Sequence, residues 1–393
     1  MQSDELRQTA ADHLRLAVAR GRRSFTEIVD DAVEYLRGYG EPADLRALAW
    51  ELAAPTFAAH LDAQQGWPAR TDNDRLTDAF RALDASGIVA REDFTCCQNC
   101  GLGEIGAEVL DAMPARGYVF YHYQDTESCA EGSGLYLAYG LFEQPPTMEI
   151  GEEVAAALRA EGLQVDWDGS PTARIHVRVR WERRRYGRMA AHAPYDPAEP
   201  ELSVQVTKGR LRIGPRLTGT ALARLELPWL PPDVTVRVEG SGPPMEVHRD
   251  GSHLVSDDGR RVGRFDGLRL LAGGHDPAAP DEPGLLEVSY ASQPNGPSAF
   301  PGVPMVLPEV LEVLPRLPTR TKSWLSAISG SAAIVQMSWD DGKLWLETPH
   351  PEDATATGKH ATLDEAVRML TVLATEDRSA LAELAGVSRR PWN

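Results

Sequence analysis

The chain has 393 residues, too many for one ordinary hydrophobic core, so two to four domains are expected. With 42% hydrophobic and 25% charged residues it is composed like a globular protein, which excludes a largely disordered chain. Its net charge of -18 excludes a protein that coats nucleic acid or an anionic membrane through a general excess of positive charge.

No apolar run reaches the roughly 20 residues needed to cross a bilayer. The acidic start, Met1-Gln2-Ser3-Asp4-Glu5, lacks the charged-then-apolar layout of a secretion signal, and a cytoplasmic location is expected. Lysine occurs only at 208, 322, 343 and 359 while arginine, alanine, glycine and proline are plentiful, a bias typical of GC-rich bacterial coding.

Residues 1–90 read as helical. Leu14, Val18 and the stretch Ile28 to Leu36 repeat apolar side chains at helical spacing. Residues 43–60 are rich in Ala and Leu, and Pro55 is expected to break or kink that helix. Leu76, Ala79, Phe80 and Leu83 share one helix face, with Gly87 as the stop. In residues 91–192 the aromatic and branched runs 117–124 and 135–142 predict strands. A helix is expected over 150–161 and strands over 163–167 and 174–181. In the last, Ile175, Val177, Val179 and Trp181 alternate with Arg174, His176, Arg178 and Arg180, which predicts one buried face. The segment reads as one antiparallel sheet with helices on one face, forming a unit with residues 1–90.

A proline-containing linker over 193–200 leads into a β-rich domain, residues 201–292. Its strands are expected at 204–206, 211–213, 222–227, 234–238 and 285–290. The next boundary is placed at Gln293 to Ser298. Residues 299–393 predict a further α+β domain. There a hairpin joins 333–339 to 343–347 through Asp340-Asp341-Gly342, whose Asp-Gly suits a type I′ turn. Thr362 and Glu365 then form a capping box for a closing helix. The fold class is α+β and multi-domain, with an N-terminal helical segment followed by antiparallel sheet modules.

The cysteines stand at 96, 97, 100 and 129. Their clustering within a long chain favours a reducing compartment and a local site over a disulfide scaffold. Cys97 and Cys100 have the C-x2-C spacing that lets two thiolates face one centre across a tight turn. Zinc is the cofactor this pattern implies, and it takes four ligands. Cys96, His122, Cys129 or a carboxylate are the candidates to complete the set. Two other readings stay open: reduced thiols packed as small hydrophobes, and thiol redox or nucleophilic chemistry of the kind a helix N-terminus favours.

His122, Asp125 and Glu127 leave a predicted strand and enter a Gly-rich loop, where they form a candidate ligand loop or acid–base group; plain turn capping is the competing role. Arg178, Arg180, Arg183, Arg184 and Arg185, interleaved with Trp181 and followed by Tyr186, make a candidate patch for an anionic partner, against a solvated or intramolecular role. The phosphate-loop, HExxH and GxSxG patterns do not occur in the sequence, and no GxGxxG stands between a predicted strand and a helix.

The run Asp84 to Cys100, ending Phe94-Thr95-Cys96-Cys97-Gln98-Asn99-Cys100, together with 117–127 and 134–140, resembles an uncharacterised bacterial domain-of-unknown-function family, over about residues 25–185. The resemblance implies no activity. A cytoplasmic interaction or regulatory protein is therefore expected, with a protein as partner and neither membrane nor nucleic acid. One alternative is an enzyme that uses a metal or thiol at Cys97 and Cys100. Another is an immunity or antitoxin-like binder, suggested by acidity and small α+β modules.

Overall fold

Helix starts follow the side chains that cap them. Ser24 opens the helix Phe25–Tyr35, Thr71 opens Asp72–Ala85 and Thr362 opens Leu363–Glu376. In each, an acidic residue three positions on reaches back to the cap's backbone N–H and completes a capping box. The computed structural model describes residues 3–240, 242–292 and 298–391, so the boundary expected at Gln293 to Ser298 falls almost wholly outside the described residues. The fold is α+β, with helices preceding several mainly antiparallel sheets. The chain divides into two units, each assembled from separated stretches. One comprises Met1–Gly66, Arg184–Val288 and Phe300–Glu309; the other comprises Trp67–Arg183, Ser289–Ala299 and Val310–Asn393.

In the first unit the helices Ser3–Arg20, Phe25–Tyr35 and Pro42–Gln65 bury Leu14, Val18, Phe25, Ile28 and Phe57. The helix Pro42–Gln65 runs unbroken through Pro55, the residue expected to break or kink it, and Thr56 donates its hydroxyl to the Leu52 carbonyl at 2.7 Å beside that point. These side chains do not stop at a helical bundle. They share one core with Val204, Val236, Val238, Val247, Leu254 and Val262 from a six-stranded antiparallel sheet. Its strands run in the order Arg261–Gly263, His253–Ser256, Met245–Asp250, Thr235–Glu239, Glu201–Lys208 and Arg216–Thr218. Arg185 ties the unit together: its guanidinium donates to the carbonyls of Val18 at 2.7 Å, of Met189 at 2.6 Å and of Arg23, and lies over the Phe57 ring.

Two of the strands expected here are absent from the structure. Residues 211–213 have no strand conformation, and residues 222–227 are helical. The Thr218 hydroxyl accepts the Ala221 N–H at 3.2 Å and starts a helical turn that widens to π geometry over Leu222–Glu226. That turn carries Glu226 inside, 3.2 Å from the Arg188 guanidinium. Burial pushes its carboxyl up to about 7, with Arg188 opposing and Glu27 reinforcing the rise. A carboxyl raised in this way stabilises the fold fully only below its unfolded value of 4.5, and that contribution is lost as pH rises through about 7. Glu226→Gln should therefore flatten the loss of stability between about pH 5 and pH 8, with a gain on the order of 2 kcal/mol at the upper end. Urea midpoints at the two pH values check this, and an unchanged pH dependence in the variant would refute it.

The second unit is built on a five-stranded sheet in the order Ile88–Arg91, Gly117–Phe120, Leu135–Leu141, Ile175–Arg178, Gln164–Asp166. Ile175, Val177 and Val179 face its core, as their alternation predicts, with Leu76, Phe80 and Leu83 of the helix Asp72–Ala85 and Val154 and Leu158 of the helix Met148–Ala160 packed over them. The sheet is not wholly antiparallel. Ile88–Arg91 joins it as a parallel edge strand, Ile88 opposite Gly117, and all of its residues are buried. Burial on both faces removes the alternation that marks an ordinary strand, which is why this one has no signature of its own.

The strand expected over 117–124 ends at Phe120, and the helix Tyr123–Ala130 takes the place of the expected loop. In the C-terminal part of the unit, Trp324–Ile328, Ile334–Asp340, Lys343–His350, Thr355–Ala361 and Ser388–Pro391 pair antiparallel in chain order. The turn at Asp341 and Gly342 has positive φ at both residues and pairs Asp340 with Lys343, as its sequence requires. The helix Leu363–Glu376 buries Ala366, Met369, Leu370 and Leu373 and packs on the strand Ile334–Asp340.

Candidate metal centre

The cysteine segment is held in place before its chemistry begins. Asp93 and Thr95 sit at φ 50° and 57°, a left-handed backbone that L side chains tolerate only when neighbours enforce it. The enforcing contacts are specific. The Phe94 N–H donates to the Tyr121 carbonyl at 2.8 Å, the Tyr123 N–H to the Thr95 carbonyl at 3.2 Å, and the Thr126 hydroxyl to the Asp93 carboxylate at 2.8 Å. The Thr95 hydroxyl bonds the Cys97 carbonyl at 3.2 Å. The short helix Gln98–Glu104 then begins after Cys97 and lies against the buried Phe120. A Cβ on Gly101 would come within 2.3 Å of that ring, so only glycine lets the helix approach this closely.

This scaffold turns three sulfurs toward one another. The Sγ atoms of Cys96, Cys97 and Cys100 all lie within 4.8 Å of each other. Around zinc, with Zn–S bonds of about 2.3 Å, tetrahedrally placed sulfurs sit about 3.8 Å apart, a distance that small side-chain rotations supply. Cys96 is exposed and the other two are half-buried. The backbone N–H of Cys100 faces the Cys97 sulfur and, with the Cys100 thiol, holds Cys97 below the ordinary thiol value. Cys100 is pushed up to about 12, because it shares hydrogen bonds and negative charge with Cys96 and Cys97. Thiols this close resist ionising together unless a cation replaces their protons, and the donor set fits a thiophilic metal ion.

The other predicted ligands are engaged elsewhere. Cys129 is buried on the helix Tyr123–Ala130, with its sulfur 3.6 Å from the Val179 carbonyl; burial pushes its thiol up to about 12. His122 caps that helix. Its Nδ1 accepts the Asp125 N–H at 3.4 Å and its Nε2 lies 3.0 Å from the Asp125 carboxylate, so both ring nitrogens are taken. Burial holds its pKa below the ordinary value, which keeps the ring neutral at pH 7. Asp125 is in turn held by Arg174 at 2.5 Å. Asp125 and Glu127 therefore sit on a helix, Asp125 buried and Glu127 half-buried, where a Gly-rich ligand loop was expected. The capping role accounts for His122 and Asp125.

The arginine run does not present one patch. Arg178 pairs with Asp166 at 2.8 Å, and the exposed Arg180 pairs with Glu182. Arg183 is buried on Glu92 at 2.5 Å, Arg185 is buried on backbone carbonyls, and Arg184 is half-buried. Two of the five guanidinium groups are thus interior fixtures, the intramolecular role left open by the sequence.

The structure also holds a buried charge cluster that sequence spacing does not reveal. Arg91 donates to Asp84 and to Glu108, each at 2.8 Å. Asp84 also accepts from the Thr319 N–H at 2.7 Å, the Thr319 hydroxyl at 2.8 Å and the Arg320 N–H at 3.1 Å. The signal available was an arginine closing an otherwise apolar strand, but its partners lie too far along the chain to be inferred from spacing.

Among the described residues no helix is long and apolar enough to cross a membrane. No curated protein and no solved structure matches the chain. Residues 3–185, which include the whole cysteine segment and its supports and end on the buried Arg185, match the model of a family described as a domain of unknown function, DUF6891.

Proposed function

We propose that the DUF6891 domain binds a thiophilic metal ion through Cys96, Cys97 and Cys100, with zinc as the ion, and that the chain works as an interaction or regulatory protein organised around that site. The observation that carries this reading is the convergence of three sulfur atoms from one five-residue segment within 4.8 Å. Three further facts support it. The segment is braced by two left-handed residues and a glycine pressed on Phe120, more restraint than three idle surface thiols require. The donors are all sulfur, the set that selects zinc and other soft ions. His122, the expected acid–base residue, is used up as a helix cap, which weakens the enzyme alternative. A protein partner and a cytoplasmic setting belong to the same proposal, since a reducing compartment keeps the thiols available.

Protein purified without chelator from zinc-supplemented cells should carry about one equivalent of zinc per chain, while Cys97→Ser and Cys100→Ser should each lose most of it. Elemental analysis of the three proteins gives the answer. Metal-free wild type, or variants that retain the ion in full, would overturn the reading.

A further inference from the structure

Zinc in a closed structural site takes four protein ligands, whereas sites that act on something keep one position open. We infer that the three-sulfur centre keeps one coordination position facing solvent and takes a small monothiol there as its fourth ligand. This rests on the metal reading above and specifies what the bound ion meets.

The inference stands on where each neighbouring donor is spent. Among the described residues the ligating group comprises Cys96, Cys97 and Cys100 alone. Cys129 is sealed against the Val179 carbonyl. His122 and Asp125 hold each other, and Arg174 holds Asp125 as well. Glu92 is taken by Arg183 and by the Tyr121 hydroxyl. Asp93 accepts from Thr126, and Glu108 from Arg91. Recruiting any of these would break a buried contact. Glu104, one helical turn beyond Cys100, is exposed and lies outside the ligating group.

Exposure sets the direction of the opening. Cys96 is the exposed member of the trio, so the site reaches solvent on its side. An ion already held by three thiolates is soft, and a sulfur donor suits its remaining position better than water does. A thiol entering that position binds as the thiolate and releases its proton to solvent; no redox change is involved.

The full-length chain loaded anaerobically with cobalt(II), a spectroscopic stand-in for zinc, tests this through its thiolate-to-metal charge-transfer band. Titration with 2-mercaptoethanol should raise the band saturably by roughly a third, as three sulfur ligands become four. The same rise is expected in Glu104→Gln. An unchanged band in the wild type would mean that the chain itself closes the site, and it would overturn the inference while leaving metal binding intact. A rise confined to Glu104→Gln would identify Glu104 as the closing ligand and would overturn the inference equally. A falling band, the thiol stripping the ion away, would also count against the inference. A wild type that shows no charge-transfer band at any cobalt concentration would overturn the metal reading and this inference with it.

Discussion

Asp84→Ala is expected to destabilise the unit that contains residues 67–183 and 310–393 by about 3–5 kcal/mol, the range for removing one partner of a buried ion pair. Asp84 is 2% exposed and Arg91 8% exposed, so neither charge has water to fall back on. Burial alone would raise the Asp84 carboxyl, yet Arg91 and the two Thr319 donors more than offset it and hold it below the ordinary value of 3.8. A depressed carboxyl contributes stability above its unfolded value, and that contribution is lost as pH falls through the lower folded one. In the alanine variant Arg91 keeps only Glu108 as a charged partner, and the N–H groups of Thr319 and Arg320 lose their acceptor. Thr319→Val is the milder control. It removes the hydroxyl donor and keeps the backbone one, so about 1 kcal/mol is expected. Urea unfolding followed by tryptophan fluorescence measures both. A loss under roughly 1 kcal/mol for Asp84→Ala would show that water replaces the carboxylate and that the cluster is not a structural clasp.

Arg185→Ala is expected to destabilise the other unit by about 3 kcal/mol or more, because it combines a cavity with buried carbonyls left without donors. The side chain is 1% exposed, and its guanidinium lies 4.5 Å from the centre of the Phe57 ring. Its three carbonyl partners come from the end of the helix Ser3–Arg20, the following turn and the segment after Arg185 itself. Arg185→Lys tests the geometry apart from the charge: one ammonium cannot reproduce a planar fork aimed at separated carbonyls, so this variant should recover less than half of the loss. Hydrogen exchange of the amides in the helices Ser3–Arg20 and Pro42–Gln65 supplies a local readout. Unchanged protection there would refute the role given to Arg185.

The two substitutions act in different units, and their effects are expected to add when combined, as independent sites do. Neither touches the sulfur cluster, so zinc content per folded chain should stay at the wild-type level in both.

Much of the architecture was legible because its determinants are local. Thr362 with Glu365, or Asp341 with Gly342, settles a helix start or a turn within four or five residues, through the reach of one side chain or the sign of φ. The alternation through Ile175, Val177 and Val179 likewise names its buried face without knowing what covers it. The cysteine spacing belongs to the same class only in part, since Cys96, Cys97 and Cys100 lie within one five-residue segment, but contacts with residues 120–126 hold that segment in its turn. Tertiary structure decided the rest. Nothing near Ile88 announces a parallel strand, because its pairing with Gly117 forms only when a separate segment is laid beside it. Arg183 and Arg185 look like surface charge until Glu92 and the Val18 carbonyl are brought to them. His122 has the chemistry of a ligand as well as of a cap, and it is a cap because the chain turns into a helix one residue later. Apolar patterning states which faces must be buried, but the partner that buries them is chosen by the closing of the whole chain. That is how the helices of residues 3–65 came to share a core with strands near residues 204 and 247.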